Sequence, residues 1–116
     1  MKIELTDDFK YRMLDRYPEL AAAADAIFSI MGLTIEDIRG RRRYRDYVYA
    51  RIIFTHLCER VYPHQNLAVY MDHTHSVVSY WGKVFKDMKK YDKDFNVLYA
   101  DIEREFNKKM KQNGVF

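Results

Sequence analysis

Apolar positions along the chain recur every three to four residues, and no alternating run bounded by turn signals reads as a strand. The pattern predicts helices throughout. A short helix is expected around 7–17, with Pro18 interrupting it or starting the next. Residues 19–31, ELAAAADAIFSIM, read as a buried helix, with Gly32 where a left-handed closing residue is wanted. Thr34 opens T-I-E-D, which resembles a capping box with Asp37 at its third position, and starts a short helix ending near Gly40. The next helix, about 43–62, carries an apolar stripe through Val48, Ile52, Phe54 or Thr55, and Leu57 to Val61, and Pro63 stops it. Residues 65–71 give one or two turns before D-H-T-H-S breaks the pattern. Asp72 or Thr74 then caps a helix over 74–88 with an inner stripe of Val78, Trp81, Phe85 and Met88, flanked by Val77 and Val84. Its opposite face is expected to carry His75, Ser79, Lys83 and Lys86. A last amphipathic helix over 92–111 uses Phe95, Leu98, Ile102 and Phe106. The expectation is an all-α domain of five or six helices spanning the whole chain, with no repeats or linkers.

A short helix, a turn of about three residues and a longer amphipathic helix make the grammar of a helix-turn-helix. Many helical hairpins share it, so charge is what sharpens the reading. The 116 residues carry a net charge of +3, unevenly placed: the balance is −4 over 1–38, +5 over 39–61 and +2 over 62–116. All seven cations of the middle segment are arginine, whose planar fork suits phosphates and guanine edges. Such a segment is an electrostatic footprint for nucleic acid; the competing reading is a solvated face salt-bridged to the acidic N-terminal third.

Other chemistries find little support. The four glycines, at 32, 40, 82 and 114, are isolated, so neither phosphate-binding glycine motif occurs. Cys58 stands alone and reads as a small core residue. His64, His73 and His75 with Cys58 invite a metal reading, but the pair at 73 and 75 lies at a helix start while Cys58 sits on the apolar side of another helix. No Ser–His–Asp or paired-carboxylate arrangement follows from spacing. A non-enzymatic protein without metal, cofactor or nucleotide is expected. No apolar run approaches the roughly 20 residues that cross a bilayer, and the polar start MKIELTDDFKYR lacks a signal-peptide core, so the expected location is cytoplasmic.

The segment GLTIEDIRGRRRYRDYVYARIIFTHLCERV resembles the C-terminal DNA-binding domain of the chromosomal replication initiator DnaA. The matching elements are the short helix Ile35-Glu36-Asp37-Ile38, the basic run Arg41-Arg42-Arg43-Tyr44-Arg45, and Ala50-Arg51 opening the following helix. The family signature D-H-[ST]-T-V is matched by Thr74-His75-Ser76-Val77-Val78, where Thr74 replaces the aspartate and Val77 the second threonine. A second register sets Asp72-His73-Thr74-His75 on D-H-T-T; the first is preferred because it keeps Val78, Trp81 and Phe85 inside. The resemblance spans about residues 20–108.

The resemblance implies a Trp-repressor-like helix-turn-helix core over 19–111, with 1–18 as an extension and without the family's ATPase module. It implies double-stranded DNA as the partner. A recognition helix would read the major groove, and a basic loop would place one arginine in the minor groove and others on phosphates. The minor-groove position is Tyr49 in this chain, so Arg43 or Arg45 would have to serve instead, or that contact is lost. The candidate DNA-binding residues are Arg41, Arg42, Arg43, Arg45, Tyr49, Arg51, His73, Thr74, His75, Ser76, Ser79 and Lys83. Arg51 has a second reading, pairing with Asp46 or Glu36 to hold the loop. Thr74 has one too, as a helix cap. Trp81 is expected in the core, and one or two of Tyr44, Tyr47 and Tyr49 are expected to touch DNA backbone through their hydroxyls. A freestanding reader of this kind suits replication, or its regulation, on a phage or mobile element. The rival class is a protein-interaction module descended from a helix-turn-helix, with the acidic N-terminal helices docking a basic partner.

Overall fold

The computed structural model describes residues 18–112, and every regular element among them is helical. In chain order these are α1 (Pro18–Met31), α2 (Ile35–Arg39), α3 (Arg45–Cys58), α4 (His64–Met71), α5 (His75–Tyr91) and α6 (Lys93–Gln112). The helix expected at 7–17 lies outside the described residues. No helix among the described residues is long and apolar enough to cross a membrane.

Local chemistry sets most of the boundaries. Pro18 is the first residue of α1, where its missing N–H costs nothing. Gly32 ends α1 at φ +72°, a conformation in which a Cβ would be strained, and its N–H reaches Phe28 O at 2.9 Å. The capping box of α2 is complete: Thr34 N–H donates to Asp37 Oδ2 at 2.9 Å, and Asp37 N–H donates to Thr34 Oγ1 at 3.3 Å. Asp92 separates α5 from α6 and caps the latter by accepting from Phe95 N–H at 3.0 Å.

Two helices differ from expectation: the one expected over 74–88 continues to Tyr91, and the other is shorter. The helix predicted over 43–62 is confined to Arg45–Cys58. The N–H groups of Val61 and Tyr62 both return to Cys58 O at 3.1 Å, which closes the helix in a tight turn. Pro63 disfavours helical backbone at the residue before it, and the Tyr62 ring is buried.

Helix α3 is the centre of the molecule. Residues Tyr49 through Thr55, together with Leu57 and Cys58, are buried, so it is enclosed on all sides instead of showing one stripe. Around it pack α1, α5 and, more lightly, α2, α4 and α6. Helix α1 also lies along α6, its small Ala22, Ala23 and Ala26 permitting close approach. The aromatic core continues into α5 and α6 through Phe85, Phe95 and Tyr99, whose rings meet edge to face at Phe85. Trp81 is on the inner side of α5, and Cys58 is fully buried.

Candidate nucleic-acid interface

The basic loop, residues 40–44, runs between α2 and α3 and is pinned from beneath by Arg51. This side chain is only 3% exposed. Its Nε donates to Ile38 O at 3.0 Å, its Nη1 to Arg42 O at 2.6 Å, and its Nη2 to Asp37 O at 3.1 Å and Gly40 O at 3.0 Å. One guanidinium thus takes up the last carbonyls of α2 and two carbonyls of the loop, the end of a helix where positive charge is favourable. Burial, then the neighbouring charge of Arg41, pulls its pKa down, yet an arginine stays charged at any physiological pH.

Arg41 joins the loop to the turn between α4 and α5. Its Nη2 donates to Asp72 O at 2.7 Å and its Nη1 to Arg39 O at 2.6 Å, with the Asp72 carboxylate 3.8 Å away. His73 completes the tie from the other side: its Nε2 lies 3.1 Å from Ile38 O and its ring meets Trp81 edge to face. The turn itself occupies Asp72, His73 and Thr74. Asp72 takes a left-handed conformation, φ 57°, that reverses the chain. Thr74 caps α5, its Oγ1 accepting from Val77 N–H at 3.2 Å. Helix α4, this three-residue turn and α5 follow one another along the chain, and the two helices pack together.

The first turns of α5 and the loop face each other across an open groove of about 480 Å³, whose lining includes Arg41, Arg43, Val48, Val77, Tyr80 and Trp81. Arg42, Arg43, His75, Ser76 and Lys83 are exposed on or beside this face and have no side-chain partner among the described residues. Asp87, further along α5, is exposed as well.

Several expected contacts are placed elsewhere. Tyr49, at the position of the family's minor-groove arginine, is 7% exposed and turns inward, its hydroxyl donating to the Asp92 carboxylate. That bond, ahead of the capping bond from Phe95, holds Asp92 below the usual carboxylate range. Arg45 swings toward the start of α6, pairing with Asp94 at 2.7 Å and lying over the Tyr49 ring. Arg51 holds the loop, but through carbonyls in place of Asp46 or Glu36. His73 is spent on the loop. Ser79 is half-buried and faces His64, Oγ to Nδ1 at 3.2 Å.

That last contact belongs to a chain invisible in the sequence spacing. His64 Nε2 lies 2.9 Å from Glu59 Oε2, so Ser79, His64 and Glu59 form a relay behind α5. Gly82 makes room for it: a Cβ there would lie 2.9 Å from both Glu59 Oε2 and His64 Cε1. Ser79 sits inside α5, where neighbouring amides are committed to the helix ladder and offer no oxyanion donors. The relay ties the end of α3 and the start of α4 to α5. Among the described residues no three His, Cys, Asp or Glu side chains converge as a metal site requires.

Sequence reading overlooked Val77 and Tyr80 as surface groups. The signal was present: the face opposite Val78, Trp81 and Phe85 is centred on Ser76, Tyr80 and Lys83, which shares only Lys83 with the expected face of His75, Ser79, Lys83 and Lys86. Comparison with family models, curated proteins and solved structures returns no match for this chain.

Removing the buried guanidinium leaves four carbonyls without their donor. Arg51→Met should lower unfolding free energy by about 3 kcal/mol in urea titration, and Arg51→Lys, with a single compact head, should recover less than half of it. Burial, the largest cause in each case, depresses the pKa of His56 and His73. Both are therefore neutral in the fold at pH values where the unfolded chain takes up protons. Their contribution is complete above the unfolded value near 6.5 and declines as pH falls below it. Thermal midpoints should drop between pH 7.5 and pH 5, before carboxylates titrate, and the drop should shrink in His56→Gln.

Proposed function

We propose that this chain binds double-stranded DNA, with Arg42 and Arg43 of the loop on phosphates and the first turns of α5 in the major groove. The observation that carries this reading is the braced face. Arg51 and Arg41 are used up in fixing the loop and the α4–α5 turn to each other. Arg42, Arg43 and Lys83 remain exposed and unpaired beside the start of α5. A rigid loop bearing arginines next to a projecting helix start suits simultaneous backbone anchoring and base reading. The resemblance of the Ile35–Arg51 and Thr74–Val78 segments to the DnaA C-terminal domain supports the same reading. By that resemblance the role is replication initiation, or its regulation, on a phage or mobile element. It is a role of address reading without nucleotide hydrolysis or other chemistry. The site would be read without the family's minor-groove arginine, since Tyr49 is committed to Asp92.

One observation favours a second reading as a protein-interaction module. Phe28 and Ile30 on α1 are 56% and 38% exposed, far more than core packing would leave.

Fluorescence anisotropy with random duplexes at two or more salt concentrations separates the two. Three cations on phosphates predict a slope of log K against log salt of about −3. Arg42→Ala/Arg43→Ala should weaken binding and reduce that slope by about 2 units while leaving the thermal midpoint unchanged. A folded protein that binds no duplex at low salt would overturn the DNA reading.

A further inference from the structure

The groove between the loop and α5 is lined by cationic and apolar groups together. Arg41, Arg43 and Arg51 supply charge, His73 and Thr74 are polar, and Val48, Val77, Tyr80 and Trp81 supply the apolar side chains. Two of these apolar groups project far enough to meet a ligand: Val77 is 37% exposed and Tyr80 is 61% exposed. They lie three residues apart on the side of α5 that faces the loop. Their polar neighbours on the crest of the helix, Ser76 and Lys83, are exposed beside them.

A partly exposed valine at a helix start is ordinary on its own. It does have a natural counterpart in a DNA major groove. Among the four bases only thymine presents an apolar group there, its 5-methyl. Resting on the DNA reading above, we infer that Val77 and Tyr80 are a thymine-methyl reader, so that this domain prefers T·A over C·G pairs beneath the loop side of α5. Three residues advance a helix by roughly 4.5 Å, close to the roughly 3.4 Å step of a duplex. The pair therefore covers one or two consecutive thymines. Arg41 and Arg43 border the same groove, so the methyl contact sits where anionic backbone is already attracted. Tyr80 contributes its ring; the hydroxyl is dispensable in this arrangement.

The test uses uracil, which pairs as thymine does and lacks only the methyl. The full chain is first allowed to select its preferred duplex from a random pool. Each thymine of that duplex is then replaced singly by uracil and Kd is measured by anisotropy. At one or two positions uracil should weaken binding by about fourfold, the value of one buried methyl. Val77→Ala should bind thymine and uracil duplexes equally at one of those positions, whereas Tyr80→Phe should keep the discrimination. Both side chains are exposed, so equal thermal midpoints will show that the variants are folded. Duplex binding indifferent to every uracil overturns the methyl reader and leaves the DNA reading standing. Discrimination that persists in full in both Val77→Ala and Tyr80→Ala also overturns it. Failure to bind any duplex overturns the DNA reading and this inference together.

Discussion

A guanidinium buried under the basic loop is costly unless each of its three nitrogens finds an acceptor, because desolvating a cation is worth several kcal/mol. Arg51 meets that condition with four carbonyl oxygens from α2 and the loop. The arrangement constrains much of what surrounds it. The loop cannot move without stranding the charge, and the carbonyls cannot turn to solvent without losing their donor. Arg41 and His73 extend the same lattice to Asp72 and the turn. The loop backbone and the start of α5 are thereby tied to each other before any ligand arrives, while the Arg42 and Arg43 side chains stay unpaired and exposed. Preorganisation of this kind spares the entropy of ordering the loop on binding.

Orientation of α5 depends on a second set of contacts. Asp72 reverses the chain in a left-handed conformation, Thr74 caps the helix, and the Glu59–His64–Ser79 relay grips its rear. Gly82 is essential to that grip, since it lets α5 approach Glu59 and His64 within contact distance. A glycine inside a helix costs about 1 kcal/mol against alanine. The close approach of helix and relay is the reason for bearing it. With its rear face fixed, α5 leaves Ser76, Val77, Tyr80 and Lys83 exposed on its outer side.

The sequence made the helical architecture readable where a local signal existed. Gly32, the Thr34–Asp37 box, the Thr74 cap and the three-residue turn each act within a few residues, and their positions could be read directly. Trp81 and Cys58 could be placed in the core because helical periodicity is also local. The fate of individual arginines was not local. Arg41, Arg45 and Arg51 look alike in sequence, yet one braces a turn, one pairs with Asp94 and one is buried. A clue to Arg51 was its setting in Tyr49-Ala50-Arg51-Ile52-Ile53-Phe54, a stretch too apolar to leave any side solvated. Tyr49 and Ser79 went unrecognised because their partners, Asp92 and His64, lie 43 and 15 residues away. Only the packing of α3 against the α5–α6 junction, and of α4 against α5, brings them together.

The most direct test of a braced DNA-binding face is to map it residue by residue. A short duplex titrated into uniformly ¹⁵N-labelled protein at low salt would be followed by amide chemical shifts. The account predicts perturbations concentrated at 40–44 and 72–83, with α1 and the C-terminal half of α6 silent. Perturbations centred on Phe28 and Ile30, or none at all from a folded sample, would contradict it.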